Sequence, residues 1–106
     1  MTIVNIGKKV KFKDLERALI GAALEVGLNI KSEDKFKTEY ELGSVREVSK
    51  YDETVFYLSG SVLPAMQVTT DNRREQDYFF LHSGFGFGVA SEGKVKAYLD
   101  AVSRHL

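Results

Sequence analysis

Cysteine is absent from the 106 residues, which excludes disulfides, thiolate metal sites and thiol nucleophiles. Proline occurs once and no low-complexity tract interrupts the chain, so the composition is not that of a disordered segment. Only two histidines occur, His82 and His105, too few for a histidine-rich metal centre. No run approaches the roughly 20 apolar residues that span a bilayer. The longest candidate, ALIGAALEVGL, is interrupted by Glu25. The opening MTIVNIGKKVKF lacks the long apolar core of a secretory leader, and together with the missing cysteine it predicts a cytoplasmic location. Charge of one sign is lacking too: 15 positive side chains balance 15 negative ones, so no global field draws the chain to nucleic acid or to an acidic membrane.

What is present describes an ordinary globular chain. Hydrophobic residues make up 43% and charged residues 28%, and the length suits one domain over residues 1–106, able to bury roughly two-thirds of its unfolded surface. The charges are spread unevenly, with six positive against three negative side chains up to Lys31 and a matching acidic excess beyond it. A solvated strand edge kept soluble by lysine accounts for that asymmetry better than a basic binding patch.

TIVNI reads as a strand that resumes in KVKF, with Val10 and Phe12 on one face. From Asp14 the period changes to helical, through Leu15, Ala18, Leu19, Ala22 and Val26. Asp14 is the expected N-cap and Gly27 the expected stop, which gives a helix of about 12 to 14 residues. KFKTEYEL alternates as a strand with one wet face, where Glu39 and Glu41 beside Lys35 and Lys37 read as surface charge pairs rather than as an acid–base couple. SVREVS does not alternate and suggests a turn or bulge leading into an edge strand. ETVFYLSG and QDYFFLHSG are apolar on both faces, the pattern of strands covered on both sides. PAMQVTT is a strand between them and DNRREQ a polar hairpin loop. SEGKVKAYLDAVSRHL returns to helical spacing, with Ser91 as the expected N-cap.

The predicted class is α+β: a single antiparallel sheet of about five to six strands with two helices packed on one face, in the order β-α-β-β-β-β(-β)-α. That order resembles the strand-helix-four-strand-helix pattern in each half of the TATA-binding protein and in larger helix-grip proteins. The likeness is one of topology and carries no function.

HSGFGFGVASEGKV, residues 82–95, is the densest cluster of possible chemistry. Gly88, Gly93 and Lys94 satisfy the spacing of a phosphate loop, but Val95 stands where magnesium needs Ser or Thr, and too little chain follows for the later metal-binding strand. SGFGFGVA resembles the RNP1 signature of RNA-recognition motifs, which implies Phe85 and Phe87 on one strand face as stacking platforms for bases. Ser83 stands for that signature's basic residue and Gly88 for its valine. The structural account is simpler: Gly84, Gly86 and Gly88 leave one strand face bare for close approach while Phe85 and Phe87 enter the core.

His82 and Ser83 are sequence neighbours that point to opposite strand faces, so they do not make a nucleophile–base pair, and His82 reads as a hydrogen-bonded histidine. With no metal cluster and no cofactor loop, the expectation is a non-enzymatic protein with no cofactor and no metal. Two short helices cover one face of such a sheet, and the doubly apolar strands leave the other with a sizeable apolar patch. That face presents either Val55 and Tyr57 or Phe56 and Leu58, together with Tyr78 and Phe80 or Phe79 and Leu81. Pairing with a second copy as a homodimer, through Val55, Tyr57, Phe79 and Leu81, is the expected mode of action. The alternatives are a small apolar ligand on that face, or single-stranded nucleic acid on Phe85, Phe87, Lys9 and Lys11.

Overall fold

The computed structural model describes residues 2–41, 43, 46–60, 64–83 and 92–106. The elements follow as β1 (Thr2–Val10), α1 (Phe12–Glu25), β2 (Asn29–Glu41), β3 (Arg46–Ser59), β4 (Pro64–Asp71), β5 (Gln76–Ser83) and α2 (Glu92–His105). The fold is α+β, with one five-stranded antiparallel sheet in the order β1-β5-β4-β3-β2 and two helices.

Helix α1 starts at Phe12, not after an Asp14 cap. Lys11 takes the N-cap position with no side-chain cap bond, and its carbonyl accepts from the amides of Asp14 and Leu15, both at 3.0 Å. Asp14 instead sits inside the first turn, where a carboxylate suits the helix dipole. Phe12, expected in a strand beside Val10, is thereby helical, and its ring lies 6.5 Å from that of Phe56. At the other end the expectation holds. Gly27 adopts φ +76°, and the Leu28 amide donates back to the Ala23 carbonyl at 2.8 Å. This is the Schellman arrangement that favours glycine at its left-handed position.

The stretches read as a separate edge strand and a core strand are one 14-residue strand, β3. Its partner β2 is 13 residues long and stays in register from Asn29 opposite Ser59 to Glu41 opposite Arg46, with one bulge at Glu39 and Tyr40. The continuous ladder carries the chain through the segment where alternation fails. Asn72 to Glu75 form the expected polar turn between β4 and β5. It is held by Asp71, which accepts from the Arg73 amide at 2.9 Å and from the guanidinium of Arg73 at 3.1 and 3.3 Å. Burial pushes the Asp71 pKa up, but the hydrogen bonds from Arg73 and the charges of Arg73 and Arg74 outweigh it and hold the carboxyl below the ordinary value. Ser91, the expected cap of α2, lies outside the described residues, as do Ser44 and Val45 at the start of the SVREVS stretch.

One buried cluster joins Leu15, Ala18, Leu19, Ala22 and Ala23 of α1 and Tyr98, Ala101 and Val102 of α2 to Phe56, Leu58, Met66, Val68, Phe79 and Leu81 of the sheet. The Tyr98 hydroxyl, buried among them, donates to the Leu19 carbonyl at 3.0 Å and ties the two helices. Burial raises its pKa, so it stays a donor. The same sheet face continues into a polar end. There Thr54 donates to Asp34 at 2.7 Å and accepts from Asn72 at 2.9 Å, while Thr70 donates to the Thr54 carbonyl at 2.9 Å. These bonds satisfy the two buried threonines that cap the apolar cluster.

Candidate functional site

Strand pairing decides which side chains share a face, because neighbours along a strand alternate and partners across strands do not. Phe56, Val68 and Leu81 form one row, and all three belong to the cluster with the helices. The next row out is Glu33, Val55, Thr69, Phe80 and Ile3, followed on the same face by Lys31, Tyr57, Gln67 and His82. Tyr78, opposite Asn5 of β1, extends that face. Val55, Tyr57, Tyr78 and Phe80 all stand outside the helix-associated cluster.

The four residues singled out for an interface are therefore divided. Val55 and Tyr57 lie on the outer face, and Phe79 and Leu81 turn inward to the core. The companions of Val55 and Tyr57 are Phe80, Tyr78 and Ile3. Tyr78 packs edge-on against Phe80 with ring centroids 5.5 Å apart. Ile3 is 57% exposed and Tyr78 38%, two of the four large hydrophobic residues exposed among the described residues. The other two, Ile20 and Leu24, are on α1. Ile3 gave no signal in the sequence, since its place beside Phe80 depends on pairing between the first and fifth strands.

The outer face is hollowed rather than flat. Val55, 2% exposed, lies in a depression of about 350 Å³ walled by Phe80, His82, Thr69, Gln67, Lys35 and Glu53. A second hollow of about 510 Å³ shares Glu53, Thr69 and Phe80 and runs on to Tyr78, Lys9 and the turn arginines Arg73 and Arg74. Charges of both signs rim the face. Along β2, Lys31, Glu33 and Lys35 alternate, and the Tyr57 hydroxyl donates to Glu33 at 3.3 Å. Arg73 and Arg74 are both paired with Asp71, at 3.1 and 3.2 Å, so they are not free to receive an anion.

Phe85 and Phe87 lie outside the described residues, as do Gly84, Gly86 and Gly88 around them. Lys9 is exposed at the rim of the larger hollow, and Lys11 is exposed at the start of α1. Among the described residues, no group of three or more His, Cys, Asp or Glu side chains could hold a metal ion. Among the same residues, no helix is long and apolar enough to cross a membrane. No protein-family model, curated protein or solved structure matches the chain.

Proposed function

We propose that this protein acts by self-association, pairing the outer sheet face of one copy with that of a second to form a homodimer. The observation that supports this most is the row Val55, Thr69, Phe80 and Ile3 with Tyr78 beside it. It is a mostly apolar strip, interrupted by Thr69 and ended by Glu33, on a sheet face that no described residue of either helix joins in the core cluster. A balanced charge sum removes the self-repulsion that would oppose like copies. Its rim of mixed charges around an aromatic centre has the make-up of an interface.

Size sets the expected strength. Five strands about 4.8 Å apart and three rows about 7 Å apart give a face of roughly 500 Å² in projection. That sits below the roughly 800 Å² per partner of a standard interface. An area at that end suits a weak, reversible pair rather than an obligate one. Light scattering from about 1 to 200 μM should show the mass rising from that of the 11.9 kDa chain toward twice that value. A single mass of one chain at every concentration contradicts the proposal.

A second reading is favoured by the hollow over Val55, whose volume of about 350 Å³ falls within the range of small-ligand sites. It predicts a concentration-independent monomer whose melting temperature rises on adding a fatty acid or a similar apolar molecule.

A further inference from the structure

We infer that the twofold axis of the pair runs along β4, so that Thr69 and Gln67 each face their own counterpart and Phe80 of each copy enters the hollow above Val55 of the other. This inference rests on the self-association reading and specifies how the partner is seated.

The strand order makes β4 the middle strand, with β5 and β3 on either side of it and β1 and β2 at the edges. Two face-to-face sheets related by a twofold axis have two simple arrangements. With the axis parallel to the strands and centred on β4, β5 of one copy lies over β3 of the other, and all five strands are covered. The registered row Glu33, Val55, Thr69, Phe80, Ile3 then places Val55 opposite the second copy's Phe80 and Glu33 opposite its Ile3, with Thr69 opposite Thr69. The row Tyr57, Gln67, His82 places Tyr57 opposite His82, with Gln67 opposite Gln67. With the axis across the strands, each strand lies over itself. An axis through the Val55 row sets Phe80 on Phe80, Val55 on Val55, Glu33 on Glu33 and Lys31 on Lys35.

Packing and charge both select the first arrangement. Facing layers fill space when large residues meet small ones, and Val55 lies in a depression large enough to accept a phenyl ring. The crossed arrangement stacks the two Phe80 rings on each other and leaves that depression empty. It also opposes like charges along all of β2, which costs affinity. In the parallel arrangement no charge of β2 meets its own kind: Glu33 lies over the second copy's Ile3, and Lys31 and Lys35 stay at the wet rim. Each aromatic is used twice, once in each symmetry-related contact, as an isologous interface requires.

The chain has no cysteine, so single introduced thiols report without background. Packed sheets stand about 10 Å apart, within the span of a short bismaleimide. Gln67→Cys and Thr69→Cys are both expected to link to themselves about a hundredfold faster than random collision at micromolar protein. Tyr57→Cys and His82→Cys are expected to link rapidly only when the two variants are mixed. Rapid self-linking of Thr69→Cys while Gln67→Cys stays unlinked and the Tyr57→Cys and His82→Cys mixture links no faster than collision is the pattern of the crossed axis; it overturns the axis along β4 and leaves self-association standing. If all four variants link at the collision rate and the unmodified chain scatters as a monomer, the underlying reading falls with it.

Discussion

Phe80→Asp is expected to weaken self-association by about 30- to 1,000-fold, the effect of losing a central aromatic anchor worth roughly 2 to 4 kcal/mol. Phe80 sits in the middle of the outer face, between Thr69 and Ile3 in register, and in the proposed pair its ring fills the depression over Val55. An aspartate there leaves that depression unfilled and adds a buried charge with no partner. The monomer loses much less, because the ring is half-buried and its main partner is Tyr78, an edge-on contact worth about 0.5 to 1.5 kcal/mol. Ile3→Asp, at a side chain that is 57% exposed, serves as a companion that leaves the core untouched. Sedimentation velocity at 100 μM should show both variants as folded monomers. Two folded variants that associate as strongly as the parent chain contradict the assignment of this face.

Phe56→Ala carries the largest expected loss of stability, about 3 to 5 kcal/mol. Phe56 is fully buried at the centre of the cluster, flanked in register by Val68 and packed against Phe12. A chain of this size has about 5 to 15 kcal/mol in total. At a slope of about 2 kcal/mol per molar, the urea midpoint should fall by about 2 M. Tyr57→Ala, one residue along, is expected to cost the monomer less than about 1.5 kcal/mol, since it removes a half-buried ring whose hydroxyl donates to the exposed Glu33 at 3.3 Å. Urea titration at 1 μM, below the range of association, separates the two. A larger loss at Tyr57 than at Phe56 would mean that the strand is displaced by one residue and its two faces exchanged.

These neighbours also mark the limit of what the sequence discloses. Leu15, Ala18, Leu19 and Ala22 were legible as a buried helix face because a period of 3.6 is a local property, and Gly27 was legible as a stop because only its backbone tolerates that turn. The element order and the sheet followed from the same local signals. In VFYL and YFFL, however, every position is apolar, so alternation carries no information about which set faces the helices. That partition is fixed by pairing across the sheet, β5 with β1 and β3 with β4, over separations that no local pattern encodes. Hence Phe79 and Leu81 were grouped with Val55 and Tyr57, although register sends the first two inward. Asp14 was misplaced for a related reason: packing of Phe12 on Phe56 draws the first turn forward, an influence from a strand more than 40 residues away.

The central claim is that one particular face, bearing Ile3, Tyr78 and Phe80, is covered by a second copy of the chain. Hydroxyl-radical footprinting of the unmodified protein at 1 μM and 200 μM tests it directly, because Leu24, 74% exposed on α1, provides a control in the same molecule. The account predicts that labelling of Ile3 and Tyr78 falls several-fold at the higher concentration while that of Leu24 stays constant. Equal labelling of Tyr78 and Ile3 at both concentrations, or protection of Leu24 in their place, would contradict it.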